Sequence, residues 1–118
     1  MAEDWARPVV HWEIYAKDVD KVRAFYREMF NWEISDGPIA LVGAGIGAPE
    51  ADQFTGHILP GDAPRVVLDI QVLDLKASMA KAEQLGGAIL APPFDVPNGP
   101  TIARIADPEG NHITLVQQ

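Results

Sequence analysis

The stretch VVHWEIYAKDVDKVRAFYREMFNWEI, residues 9–34, decides the fold because its pattern occurs a second time. A shift of 56 positions, with no gap, lays Ile14 on Ile70, Asp18 on Asp74, Val19 on Leu75, Ala24 on Ala80, Met29 on Leu85 and Ile34 on Leu90. In the first copy Val10, Trp12 and Ile14 alternate with His11, Glu13 and Tyr15, the period of two that marks a strand with one apolar and one mixed face. In the second, Val66, Leu68, Ile70 and Val72 alternate with Val67, Asp69 and Gln71. Asp18 and Asp74 each stand where a helix N-cap belongs, since a carboxylate there accepts a bond from an unpaired first-turn amide. The first helix carries Val19, Val22, Tyr26, Met29 and Phe30 at three- and four-residue spacing, with Lys21, Arg23, Arg27 and Glu28 elsewhere on its surface. The second carries Leu75, Ser78, Met79, Ala82 and Leu85 and stops at Gly86-Gly87.

Three short strands are expected after each helix: Trp32–Ser35, Ile39–Val42 and about Phe54–Leu59 in copy one, and Ala88–Ala91, Thr101–Ala106 and His112–Val116 in copy two. DPEGN, residues 107–111, reads as a hairpin turn, with Pro108 fixing φ at the first corner and Gly110 free to take positive φ. Residues 43–53 and 92–100 are rich in glycine and proline and read as loops. The fold class is therefore α+β, with two tandem βαβββ modules, about 8–62 and about 63–118, in one domain. Set edge to edge, their sheets are expected to form an open, curved mixed sheet whose mixed faces line a trough.

Composition narrows the function. The chain has 118 residues, 47% of them hydrophobic, enough for one core. It has no cysteine, which excludes disulfides, thiolate metal sites and a cysteine nucleophile. Nine Lys and Arg against 17 Asp and Glu give a net charge of −8, so nucleic acid and anionic membrane are not expected partners. The start, MAEDWARP, does not read as a signal peptide, and no apolar run approaches the ~20 residues of a membrane helix. A soluble, cytoplasmic protein is expected.

The chain resembles the vicinal oxygen chelate superfamily, which includes glyoxalase I, bleomycin-resistance proteins and extradiol dioxygenases. The resemblance rests on HWEIYAKDVDKVRAFYREMFNWEI, VLDIQVLDLKASMAKAEQLGGAIL and ARIADPEGNHITLVQ, and covers about Val9 to Val116. It implies the paired βαβββ fold and, in the superfamily's metal enzymes, four ligands facing the trough, two on the modules' first strands and two on their last. Carried over by position, the first falls on His11 and its repeat partner on Val67. The last-strand position of module two is Thr114, and matching GHIL (56–59) with NHIT (111–114) puts its counterpart at Leu59. His11 is then the only matching ligand position. Because mononuclear catalytic sites use at least three protein ligands, no metal or other cofactor is expected. A shifted metal site among His11, His57 and His112, with Glu13 and Asp69, is the weaker alternative; in it Glu13 pairs with Asp69 and His57 with His112 across the repeat.

By strand parity the residues expected to bind a small organic ligand are His11, Glu13, Tyr15, His57, Asp69, Gln71, His112 and Thr114. Three functions follow. One is a trough that sequesters a small organic molecule. A second is a lyase, isomerase or epimerase in which His11 or Glu13, the catalytic candidates, abstracts a proton beside a carbonyl and Tyr15, His57 or Arg104 steadies the enolate. The third is a structural dimerising domain. A homodimer is expected in each case. Ser35 and Ser78 sit in no nucleophile elbow, and GAGIG (43–47) lacks the lysine of a phosphate loop. Trp12 and Trp32 read as core, whereas Trp5, Phe54 and Phe94 are candidates for stacking on a planar ligand.

Overall fold

The computed structural model describes residues 6–43 and 55–118. Trp5, Phe54 and all but the first residue of the 43–53 loop therefore lie outside the described residues. The chain divides into two compact units, one of His11–Val66, the other of Val67–Gln118 with the N-terminal residues through Val10.

The first unit is built on β1 (Val9–Ala16), α1 (Val19–Phe30), β2 (Ala40–Val42) and β3 (Thr55–Pro60). Strand β3 lies between the other two, parallel to β1 and antiparallel to β2. Asp18 caps α1 by accepting the Lys21 amide at 3.1 Å, and Asn31 ends it at φ 60°, the left-handed region that asparagine tolerates. Apolar residues of the sheet and of α1 close on a core of Ala16, Ile34, Ala40, Val42 and Ile58, against which Trp12, Ile14, Val22 and Tyr26 pack. Trp12 faces Gly56 across β1 and β3, and a Cβ on Gly56 would meet the Trp12 ring at 2.1 Å. The missing side chain is what lets the indole lie on the strand. Trp32 then contacts Trp12 (5.5 Å between centroids) and stacks on Tyr26 (4.9 Å, 7° between planes).

Three expectations change here. Trp32–Ser35 forms no strand, only an isolated bridge from Ile34 to Val42, because Arg23 takes the Ser35 and Gly37 carbonyls that a strand would have offered to a neighbour. Arg23 is accordingly not a surface residue. It is 6% exposed, with Nε donating to Ser35 at 3.0 Å and Nη1 to Asp20 at 2.6 Å. Conversely, Met29 and Phe30 of the expected apolar face are largely exposed, since the short β2 gives the last turn of α1 little sheet to cover.

The second unit contains β4 (Arg65–Val72) from Val67 on, α2 (Leu75–Gln84), β5 (Ala88–Asp95), β6 (Thr101–Ala106) and β7 (His112–Gln117). Its strand order is β4-β7-β6-β5, with β4 and β7 parallel and the rest antiparallel. Asp74 caps α2 through the Ala77 amide at 3.0 Å, and Gly86, at φ 93°, turns the chain out of it, as expected. Leu75 and Met79 of α2 meet Val72, Ala103, Ile105 and Leu115 in the core, whereas Leu85, at the helix end, is exposed. The DPEGN turn forms between β6 and β7. Asp107 accepts from the Glu109 and Asn111 amides, and Gly110 takes φ 90°. Strand β5 runs on through Pro92-Pro93, where a loop was expected. It is an edge strand with two register shifts, positions at which a missing N–H leaves no ladder bond unmade.

Candidate functional site: a paired imidazole cluster

In the first unit, alternation along β1 turns Trp12 and Ile14 to the helix and His11, Glu13 and Tyr15 to the opposite face. Glu13 has His57 as its cross-strand partner, and His11 has Thr55. The side chains connect along the same face. His11 Nε2 lies 2.6 Å from His57 Nδ1, His11 Nδ1 lies 3.1 Å from Thr55 Oγ1, and the Tyr15 hydroxyl donates to Glu13 Oε1 at 2.7 Å. The two imidazole rings are 4.7 Å apart. Partial burial lowers the pKa of both histidines, and the nearness of His57 lowers that of His11 further, while the Glu13 carboxylate opposes both shifts. Both rings are thereby held neutral at neutral pH, with one hydrogen shared between the facing nitrogens.

In the second unit the corresponding row runs Asp69, Thr114, Arg104 across β4, β7 and β6. Arg104 Nη1 donates to Thr114 Oγ1 at 3.0 Å. Gln71 and His112 stand two residues along the same strands and share that face, both partly buried. The structure thus groups His11, Glu13, Tyr15 and His57 in one unit, and Asp69, Gln71, His112 and Thr114 in the other. The expectation of side chains wetting an open surface is corrected at three of these positions. Glu13 is 5%, Asp69 7% and Thr114 1% exposed.

The register corrects the ligand positions as well. Glu13 pairs with His57 and Asp69 with Thr114, and Glu13 and Asp69 are repeat equivalents. The counterpart of Thr114 is therefore His57, not Leu59, which pairs with Tyr15. Nor is His112 the equivalent of His57. It follows that His11 is not alone in matching a ligand position, because His57 stands beside it. Thr55 was missed, although it precedes His57 by two residues on one strand and so had to share its face.

Do these residues fit a metal? Nitrogens bound to one ion at ~2.1 Å sit about 3 Å or more apart. At 2.6 Å the two imidazoles are instead bonded to each other. The matching positions of the other repeat are Val67, which has no donor, and Thr114, whose hydroxyl is engaged by Arg104. No group of three His, Asp or Glu side chains among the described residues is placed to hold an ion. The first unit thus brings two imidazoles to these positions, bonded to each other.

A paired βαβββ architecture with this face is that of the vicinal oxygen chelate superfamily. The chain belongs to the glyoxalase-like domain family, whose model matches residues 10–116. No curated protein matches it. Among solved structures it is similar to a methylmalonyl-CoA epimerase in complex with methylmalonyl-CoA and an ammonium ion, with 16% identity, 97% of this chain and 96% of that chain covered, and a TM-score of 0.66. It is also similar to a Streptomyces coelicolor methylmalonyl-CoA epimerase variant in complex with 2-nitronate-propionyl-CoA, with 16% identity, 94% of each chain covered and a TM-score of 0.64. A third is the Mn(II)-bound glyoxalase of Novosphingobium aromaticivorans, with 22% identity, 94% of this chain but 38% of that chain covered, and a TM-score of 0.59. At these identities the likeness is one of fold, and it gives this chain the expected α+β class. No helix of the described residues is long and apolar enough to cross a membrane.

Proposed function

We propose that this glyoxalase-like domain binds a small organic molecule at the polar face of its first unit, without a metal ion. The observation that carries this reading is the direct His11–His57 contact. Two side chains at ligand positions satisfy each other, and the outer nitrogen of His57, with the Glu13–Tyr15 pair beside it, is left to meet a ligand's polar groups. Neutral imidazoles and a phenol, backed by the buried Glu13 carboxylate, make a mixed donor and acceptor face for a hydrogen-bond-rich molecule. Native mass spectrometry of protein taken directly from cells tests this, together with elemental analysis. The expected result is a bound organic mass that His57→Ala loses, with less than a tenth of an equivalent of any transition metal. Near one equivalent of zinc, nickel, iron or manganese, lost on His11→Ala, overturns it.

A second reading is favoured by the Thr55–His11–His57 chain. In one neutral arrangement His57 Nε2 is a base, and in the other it carries the hydrogen. A proton taken at Nε2 from carbon beside a carbonyl, with the Nδ1 hydrogen passed to His11, leaves an enolate; a proton returned to that carbon from solvent on the opposite face completes an epimerase-type reaction. Methylmalonyl-CoA, the compound bound to one structural neighbour, is the first substrate to try. Uptake of deuterium from solvent at its methine carbon, abolished by His57→Gln, supports catalysis; no uptake leaves the binding reading in place. We place the domain in a homodimer in both cases, because exposed sheet edges are ordinarily covered.

A further inference from the structure

The first unit holds a second concavity, on the α1 side of β1, that shares Tyr15 with the imidazole face but none of its other residues. It is an open groove of about 660 Å³ between α1, the end of β1 and residues 64–66. That volume is within the ~300–1,000 Å³ of small-molecule sites. Its floor is apolar, made by Ile14, Val22, Phe25, Tyr26 and Val66. Phe25 is 56% and Val66 69% exposed, so two large apolar side chains of this groove stay open to solvent among the described residues.

The charge around this floor runs against the rest of the chain. The protein has nine basic residues and a net charge of −8, yet Lys17, Lys21 and Arg65 all line the groove and no Asp or Glu does. Other cations of α1 are neutralised, Arg23 by Asp20 and Arg27 by Asp36. Among the described residues the three groove cations make no ion pair. Long basic side chains can lay their alkyl stems along an apolar wall and keep their heads in water.

An apolar floor with a cationic rim is complementary to a molecule with an apolar body and an anionic end. We propose that this groove is a binding site for a soluble amphipathic anion, a single alkyl chain or ring system ending in a carboxylate or a phosphate. The hydrocarbon lies on Phe25, Ile14 and Val66, and the head group is held by Lys17, Lys21 and Arg65 through charge-assisted bonds. A cationic amphiphile is repelled by the same rim.

The test uses dodecanoate and dodecyl phosphate below their aggregation concentrations, titrated into the full chain by calorimetry and by methyl and ring NMR. Micromolar binding is expected, with shifts centred on Ile14, Val22, Phe25 and Val66. The double variant Lys17→Glu/Lys21→Glu should weaken it at least tenfold with an unchanged melting temperature, since both side chains are exposed. Dodecanol should bind at least tenfold more weakly, and dodecyltrimethylammonium not at all. The tighter of the two anions identifies the head group. The proposal fails if neither anion binds, or if the double variant binds dodecanoate as the wild type does. It also fails if the groove signals respond only to anionic vesicles, or move with protein concentration alone because a second copy of the chain covers the groove.

Discussion

Replacing Gly56 by alanine adds one methyl group to a buried strand, and the structure says where its cost falls. The new Cβ would lie 2.1–2.3 Å from three carbons of the Trp12 ring, far inside contact distance. Strand β3 is held by ladders on both sides, to β1 and to β2, so the backbone cannot withdraw. The indole must move, and with it the contact to Trp32 at 5.5 Å. Overpacking of this kind costs ~1–3 kcal/mol, and partial loss of a packed tryptophan adds to it, full removal being worth ~3–5 kcal/mol. We expect about 2–4 kcal/mol for Gly56→Ala, a large share of the ~5–15 kcal/mol that holds a domain together. Urea unfolding followed by tryptophan fluorescence measures it.

The decisive comparison is the same substitution in a Trp12→Ala background. Gly56 has no positive φ, so nothing in the backbone asks for glycine there. With the ring gone, alanine should be neutral or stabilising by up to ~1 kcal/mol, through reduced freedom of the unfolded chain. The cycle should therefore show a coupling of at least ~2 kcal/mol between directly touching positions. Equal costs of Gly56→Ala in both backgrounds would show that the glycine serves something other than the indole, and would refute the argument.

Three further outcomes are expected. Arg23→Ala leaves the Ser35 and Gly37 carbonyls without their donor and should cost ~2–4 kcal/mol by chemical denaturation, whereas Asp20→Asn, whose carboxylate is exposed, should cost under ~1 kcal/mol. Stability should fall on acidification. The His11 and His57 pKa values lie below the ordinary 6.5, so as pH drops through that value the unfolded chain takes up protons before the folded one, and the loss continues until the folded pKa values are passed. Melting temperatures across pH 7.5 to 5 should show this slope, flattened in His11→Asn/His57→Asn. Sedimentation at micromolar concentration should give a species near twice 12.8 kDa, and a monomer alone would remove the homodimer.

How far the sequence carries depends on which property a feature needs. Facing needs only alternation within one strand, and there the reading of β1 holds: Trp12 and Ile14 join the helix-side core, and His11 and Glu13 turn away from it. Helix starts need only a capping carboxylate, and Asp18 and Asp74 both serve. Register is different, because it depends on loop length. The repeat spacing of 56 that relates Glu13 to Asp69 grows by one between His57 and Thr114, and matching short apolar words across that interval set Leu59 where His57 belongs. Satisfaction of buried polar groups is also invisible to periodicity. Arg23 reads as a surface cation until its guanidinium is seen to donate to the Ser35 and Gly37 carbonyls, and Pro92-Pro93 reads as a loop until β5 is known to be an edge.

The same distinction explains the site. Residue types alone suggested a metal centre stripped to one histidine, whereas the geometry pairs two. The repeats then differ in kind: one sets an imidazole pair at its two ligand positions, and the other sets a valine and a threonine that an arginine engages. A divalent ion bound at the imidazole pair would need further donors, and the pair would have to give up its mutual bond to bind it. An organic ligand requires neither change. It needs one outward nitrogen with a defined hydrogen position, which the Thr55–His11–His57 chain supplies without any rearrangement of the strands that carry it.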